Sequence, residues 1–239
     1  MKIINPSFAT ANMHQSHQQL VESSRKYGLI PAPYKPENIS KEFVEKHNDI
    51  FNNFKSRGAG YWLWKPYIIM KEMEKADDGD LVFYTDAGMY FDSDPSALID
   101  IAKEQTFTFF DISGHNVGHW TKRDCFIEMG CDGLGYDNEL FTNAAMFILK
   151  VNDESRAFMN EYSHWCKNEV CITDKPSTLG PELSMYRGDH RHDQSILSIL
   201  ARKHKIIHHR DPSQYGKECR GAYSNSDYDT CFFHHRSKK

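Results

Sequence analysis

The chain has 239 residues, 39% hydrophobic and 26% charged, with 29 Lys+Arg against 33 Asp+Glu for a formal net charge of −4. No apolar run approaches the roughly 18 residues of a membrane-spanning helix, 13% aromatics argue against disorder, and a net acidic chain lacks the basic field that displaces counterions from a nucleic acid polymer. The length allows one large domain with an ample core, and we read residues 1–239 as a single domain.

Lys2 to Phe8 reads as a first strand. Asn12 caps a helix from about Met13 to Tyr27, with Leu20 and Val21 facing in and Gly28 at its C-terminal end. Leu29 to Tyr34 is Pro-rich, a short strand or extended segment. Ser40 caps a second helix to about Lys55, and Val44, His47, Ile50, Phe51 and Phe54 trace its inner face. Pro66 suits the first turn of a third helix to about Ala76. After the turn Asp77–Asp80, Leu81 to Asp86 is a near-continuous apolar run, as expected of a strand buried on both faces.

The alternation continues. Asp94-Pro95 starts a helix to about Glu104, Thr106 to Ile112 is a strand, and Thr121 caps a short helix ending at Gly130. Ala144 to Val151 is a strand. Asp153 caps a helix to about Lys167, with Phe158, Met159, Tyr162 and Trp165 at helical spacing. Cys171 to Gly188 is rich in Pro, Gly, Ser and Thr and reads as a long surface loop. His192 to Lys203 is helical, and Lys205 to His209 is strand-like. The last 30 residues look irregular but retain aromatics, which implies that they pack on the domain. Such alternation predicts an α/β fold, an α/β/α sandwich around a mostly parallel central sheet.

Motifs that are absent narrow the chemistry. No GxGxxG follows the first strand, and no GxxxxGK[ST] or GxSxG occurs. The six cysteines form no CxxC pair and read as reduced thiols. The start, MKIINPSFATAN, lacks the basic opening and apolar core of a secretory signal. Together these predict a cytoplasmic protein, or a domain trimmed from a longer one.

Three segments carry chemistry. The first is the run ending Tyr84-Thr85-Asp86-Ala87-Gly88. A buried strand delivers Asp86 to the C-terminal sheet edge, where ligands bind in open α/β folds. A carboxylate there suits Mg²⁺ or Mn²⁺, although it would equally cap the turn that follows. The second is Arg57 to Tyr67, in which two glycines precede Tyr61, Trp62 and Trp64. Aromatic faces there stack on a base or sugar ring, or simply join the core. Lys65 begins a helix, where backbone N–H groups already favour phosphate. The third is His190-Arg191-His192-Asp193-Gln194, opening a helix. Asp193 there is stabilised by the helix dipole or acts as a mere cap, and should lie at the sheet's rim and not in the core. His190 and His192 lack further zinc-ligand spacing, and such histidines are more often solvated or hydrogen-bonded.

In this order the segments resemble the nucleotide-sugar-dependent glycosyltransferases of the GT-A fold, of the glycogenin-like and lipopolysaccharide galactosyltransferase kind, over about residues 57–236. YTDAG resembles the strand bearing the DxD metal motif, YLDAD in those enzymes. YWLWKPY resembles the segment whose basic residue faces the donor. TNAAMFIL resembles the strand lining the sugar pocket, HDQSILSIL the DQ helix start, and the closing HHR the C-terminal His of the metal shell. The narrower pattern GYWLWKP, YTDAG and HDQS is similar to that of bacterial and viral transferases. The chain departs from the pattern at Gly88, where the second acid of DxD would stand; Asp92, Asp94 or a water would have to replace it.

The resemblance implies transfer of a sugar from a nucleotide-diphosphate sugar, UDP-linked, to a glycan or glycoconjugate, assisted by Mn²⁺ or Mg²⁺; its DQ element favours retention of configuration, whereas inversion would need a general base, for which Asp193 or Asp189 could serve. It implies Asp193 and Gln194 at the reacting sugar, and Tyr61, Trp64, Lys65, Tyr84, Asp86, Asn143 and Ala144 around the donor. It implies Asp86, His234 and His235 as metal ligands. Rival readings are an inactive sugar-binding module of the same fold and a metal-dependent nucleotidyltransferase or phosphohydrolase, which would carry three or more acids on neighbouring strand ends.

Overall fold

The computed structural model describes residues 1–235, so Arg236, which ends the closing His-His-Arg, lies outside the described residues. Among the described residues nine strands form: β1 (Ile3–Phe8), β2 (Ile30–Tyr34), β3 (Leu81–Thr85), β4 (Met89–Phe91), β5 (Phe107–Asn116), β6 (Leu140–Thr142), β7 (Met146–Lys150), β8 (His208–Arg210) and β9 (Phe232–His234). Seven of them make one sheet in the order β2-β1-β3-β7-β5-β6, with β8 paired to β5; β4 and β9 make a separate ribbon.

The central sheet is mixed. β1, β2, β3, β5 and β8 run one way, and β6 and β7 run against them. The expectation of a mostly parallel sheet holds for strand direction but not for pairing, because β7 lies antiparallel between β3 and β5. A short apolar run reads the same in either direction, so its sequence does not reveal this.

Alternate residues on each central strand enter different cores. Val82, Tyr84, Phe109, Phe147 and Leu149 face one cluster, which holds Ile68, Met73, Phe158, Tyr162, Ile196 and Leu200. Leu81, Phe83, Phe110, Met146 and Ile148 face the other, with Leu20, Leu98, Phe91 and Phe232. Helices Trp64–Met73, Asp153–Cys166 and His192–Lys203 thus cover one face, and His14–Lys26 and Ser96–Lys103 the other. This two-sided burial is the layered arrangement predicted from the apolar runs. Each such Leu, Ile or Phe contributes about 1.5–3 kcal/mol of transfer free energy. The tail packs as expected, through Tyr228, Cys231 and Phe232.

Pairing between β1 and β3 stops at Ile4. Pro6 cannot donate to a ladder. The Asn5 side chain takes over instead, donating to the Phe83 carbonyl at 2.5 Å and the Thr85 hydroxyl at 2.7 Å. The prolines of β2 sit on an edge strand, where they are tolerated.

Several local expectations change. The predicted helix to Lys55 is two short ones, Lys41–Lys46 and Asn48–Phe51: His47 leaves helical geometry between them, and the left-handed Asn52, Asn53 and Phe54 end the second. Ser40 still caps the first, accepting from the Phe43 N–H at 3.2 Å. Asn12 does not cap the first helix; its side-chain oxygen accepts from Thr10. Asn152, not Asp153, caps the helix Asp153–Cys166. Lys122, not Thr121, holds the cap position of Arg123–Glu128. All six cysteines are free thiols, and among the described residues no helix is long and apolar enough to cross a membrane.

Five successive residues, Gly58 to Trp62, have positive φ. This run swings the chain from Phe51 into the helix Trp64–Met73. At Gly60, with φ of +109°, a Cβ would stand 2.3 Å from the Phe51 ring, which is fully buried. Gly60→Ala should therefore cost about 2–4 kcal/mol, from overpacking and backbone strain together. Urea denaturation at equilibrium measures this, and an unchanged midpoint would refute the packing argument.

Candidate active site

The strand directions gather the polar residues at one edge. β3 and β8 end, and β5 passes, where β7 begins, so Asp86, Asp111, Arg210, Asp211 and the turn Asn143–Ala145 share one rim. A cavity of about 890 Å³ opens there. The starts of the helices Trp64–Met73 and His192–Lys203 reach it through Lys65, Asp193 and Gln194.

Lys65 is the centre of the floor. It is 2% exposed. Its ammonium donates to Asp193 Oδ2 at 2.6 Å and to the Ala144 carbonyl at 2.9 Å, and stands 3.7 Å from Asp86 Oδ1. The Tyr84 ring lies under it at 5.0 Å. Burial pulls its pKa down, but Asp193 and Asp86 outweigh burial and raise it, so it stays charged. Lys65 was expected to face phosphate from a helix N-terminus; it is instead committed to two carboxylates.

Asp193 corrects a second expectation. It is 3% exposed, not at an open rim. It does not cap its helix, since Arg191 occupies that position. Both its hydrogen bonds, from Lys65 and from the Tyr162 hydroxyl at 3.2 Å, end on Oδ2. Among the described residues Oδ1 accepts none. Burial pushes the carboxyl up to about 6, with Lys65 holding it back from a larger rise. The dipole stabilisation inferred from sequence is thus outweighed by desolvation.

Asp86 is the more open acid, its side chain 32% exposed. The Tyr84 hydroxyl donates to its Oδ1 at 2.5 Å. Tyr84 itself is fully buried and so positions Asp86; it does not line the cavity. The tail returns to the turn that follows Asp86. Met89 pairs with His234, and the His235 N–H donates to the Gly88 carbonyl at 3.1 Å. Of the two histidines His234 lines the cavity, whereas the His235 ring packs edge-on against Tyr90.

A divalent ion fits this corner by the chemistry of its donors. Magnesium-like ions are held by one or two carboxylates plus substrate phosphates, not by a full protein cage. Asp86 Oδ2, which takes no hydrogen bond among the described residues, and the His234 imidazole are of that kind. Among the described residues no three His, Cys, Asp or Glu converge on one cation position. The rest of a shell would come from donor oxygens and water.

Other expected site residues divide. Trp64 belongs to the core: it stacks on Phe8 at 4.1 Å and its indole N–H donates to the Gly58 carbonyl. Trp62 lines the cavity in its place, and its ring stacks on His192 at 5.4 Å; Tyr61 packs on His192 from a half-buried position outside the lining. Gln194 lines the cavity with its amide nitrogen bound to the Thr142 carbonyl at 2.9 Å. Asn143 is a brace, its nitrogen on Asp211 and its oxygen on the Ala145 N–H. Ala144 contributes its carbonyl to Lys65. His190 and His192 are buried on the backbone carbonyls of Cys171 and Ile172, and desolvation keeps both neutral. Arg57, Arg191, Arg210 and Asp211 also line the cavity and were not anticipated. The strand-end rule that singled out Asp86 would have found Arg210-Asp211 after β8.

No protein-family model matches the chain, and no curated protein does. Solved structures do. A glycosyltransferase involved in the glycosylation of the major capsid of PBCV-1 aligns over 99% of this chain and 96% of its own, with a TM-score of 0.52 and 11% identity. Mouse xyloside xylosyltransferase 1 aligns over 99% and 98%, with a TM-score of 0.51 and 8% identity. An active-site mutant of LgtC aligns over 99% and 88%, with a TM-score of 0.50 and 12% identity. At such identities the likeness is one of architecture, and by it the chain has the GT-A fold.

Proposed function

We propose that the chain is a glycosyltransferase, moving a sugar from a nucleotide-diphosphate sugar, UDP-linked, to a hydroxyl of a glycan or glycoconjugate. The observation that supports this most is the buried Lys65–Asp193 pair, next to Asp86, on the floor of a large cavity at the strand ends. A fixed, desolvated carboxylate beside a fixed ammonium suits a reaction in which both signs of charge develop.

Transfer breaks the bond between the anomeric carbon and a diphosphate oxygen, forms one from that carbon to the acceptor hydroxyl oxygen, and passes the hydroxyl proton to the departing diphosphate. Positive charge grows on the sugar and negative charge on the leaving group. Asp193 offers Oδ1 to the sugar while Lys65 and Tyr162 hold Oδ2. With its pKa near 6 it is mainly ionised at neutral pH. Clamped by two donors, it serves better as a charge stabiliser than as a mobile general base, which favours retention. Gln194 Oε1 is placed to accept from a sugar hydroxyl, and Trp62 presents a flat face to a ring. A divalent ion, when bound by Asp86 and His234, supplies charge stabilisation at the diphosphate.

The decisive test is an assay of donor hydrolysis and transfer across UDP- and GDP-sugars, with and without Mn²⁺. Release of free nucleotide diphosphate is expected with at least one UDP-sugar. Binding without turnover would favour an inactive sugar-binding module. Cleavage of nucleotides that carry no sugar would favour a phosphohydrolase.

Three outcomes follow for single residues and pH. Asp193→Asn should cut turnover about a hundredfold or more while donor affinity survives. The change also weakens the partnership that keeps Lys65 charged, so the variant is compared below its own melting temperature. In the unaltered enzyme turnover should fall as pH drops through about 6, because Asp193 then takes up a proton. The stability sign is opposite: a carboxyl raised above 3.8 binds its proton earlier in the folded state, so this group favours folding as pH falls from about 6 toward 4. Finally, Asp86→Asn and His234→Ala should each weaken Mn²⁺-dependent UDP binding, measured by calorimetry, with little change in melting temperature. Unchanged affinity in both variants would remove the ion from this corner.

A further inference from the structure

Arg210 heads the fully buried side chains by size and is 1% exposed. It ends β8 and borders the cavity. Its Nη1 donates to the Gly216 carbonyl at 3.3 Å and its Nη2 to the Tyr228 carbonyl. The guanidinium lies over the Tyr228 ring at 4.8 Å. Its Nε is buried and donates to nothing among the described residues.

What sets Arg210 apart is charge. Among the described residues the other cavity cations each have an acid: Lys65 has Asp193 and Asp86, Arg57 has Asp174 and Asp189, and Arg191 has Asp189. Among the described residues no carboxylate lies within 4.0 Å of Arg210. The nearby acids are engaged elsewhere. Asp111 pairs with Arg202 at 2.5 Å, and Asp211 accepts from Asn143 and from the Ser213 N–H. A guanidinium stays protonated even when buried, and a buried charge without a counter-charge is costly. The chain bears that cost at the wall of its ligand cavity.

His234, another residue of the cavity lining, is tied to Arg210 by the helical turn Gln214–Ala222. Gln214 exchanges two 3.0 Å hydrogen bonds with the His234 backbone, Tyr215 packs its ring on His234, and Gly216 accepts from Arg210.

We propose that Arg210 is a built-in counter-charge for the donor's diphosphate, so that diphosphate binding has a component independent of any divalent ion. The anion site stands on this geometry alone; calling the anion a donor's diphosphate rests on the glycosyltransferase reading above.

The test titrates inorganic pyrophosphate, UDP and uridine into the full chain in excess EDTA, for the unaltered protein, Arg210→Lys and Arg210→Gln. Pyrophosphate should bind the unaltered protein without metal. Arg210→Gln should weaken pyrophosphate and UDP by about tenfold or more, Arg210→Lys less, and uridine not at all. Equal pyrophosphate affinity in Arg210→Gln and the unaltered protein would overturn the proposal. Because a buried arginine also braces its surroundings, a crystal of the unaltered protein grown with pyrophosphate and EDTA provides a second measurement. A phosphoryl oxygen within about 4 Å of the Arg210 guanidinium is expected; pyrophosphate elsewhere, or none, overturns it. Pyrophosphate at Arg210 in a protein that consumes no nucleotide sugar would sink the glycosyltransferase reading and leave the anion site. Sugar transfer with unaltered pyrophosphate binding in Arg210→Gln would do the reverse.

Discussion

A lysine ammonium buried among two carboxylates and a carbonyl fixes the geometry of everything around it. Lys65 comes from one helix, Asp193 from another, Asp86 from the end of β3, and the Ala144 carbonyl from the turn into β7. None of these groups is cheap to bury alone. Removing one acid leaves a cation short of charge; removing the cation leaves two acids in a poor solvent for them. Breaking a buried pair such as Lys65–Asp193 typically costs about 3–5 kcal/mol, whereas Asp86, a third exposed and 3.7 Å away, contributes far less. A well-packed apolar replacement would hold the same helices together at least as firmly. Stability alone therefore does not explain the constellation.

Much of this was legible in the sequence, for physical reasons. Apolar runs on β3 and β7 announce strands buried on both faces, and a strand that ends in Asp86 announces a carboxylate at the rim. Lys65, Asp86 and Asp193 stand out on three separate segments, and the family resemblance gathers them around one donor, but nothing in the sequence shows that Lys65 pairs directly with Asp193. Their convergence is tertiary, since 128 residues separate Lys65 from Asp193. That separation is also why Asp193 was misjudged: the local signal is a helix dipole, whereas the deciding effect is burial by distant elements. The resemblance puts Trp64 at the donor, whereas the fold buries Trp64 and turns Trp62 to the cavity, after five left-handed residues that no local signal announces. The direction of β7 leaves no trace in composition.

The cavity divides into a rigid floor and a variable wall. The floor is made of strand ends and helix starts whose neighbours lie in two closed cores. Parts of the wall come from irregular chain, including the approach to Asp193, which carries Arg191, and the turn bearing Tyr215 and Gly216. Floors of this kind set the reaction type, and loops select what enters. Arg57 and Arg191, each tied to Asp189, line the cavity from such irregular chain.

The ribbon of β4 and β9 joins Met89 to His234, residues from the two far parts of the sequence. Closing so long a loop is entropically expensive and is slow compared with local pairing. The main sheet does not need this ribbon: β3 already has its partners in β1 and β7. The cavity side that carries His234 thus hangs on a long-range contact that the main sheet does without. A chain with its main sheet formed can still lack that side, and assays that report only folding would count such a species as finished.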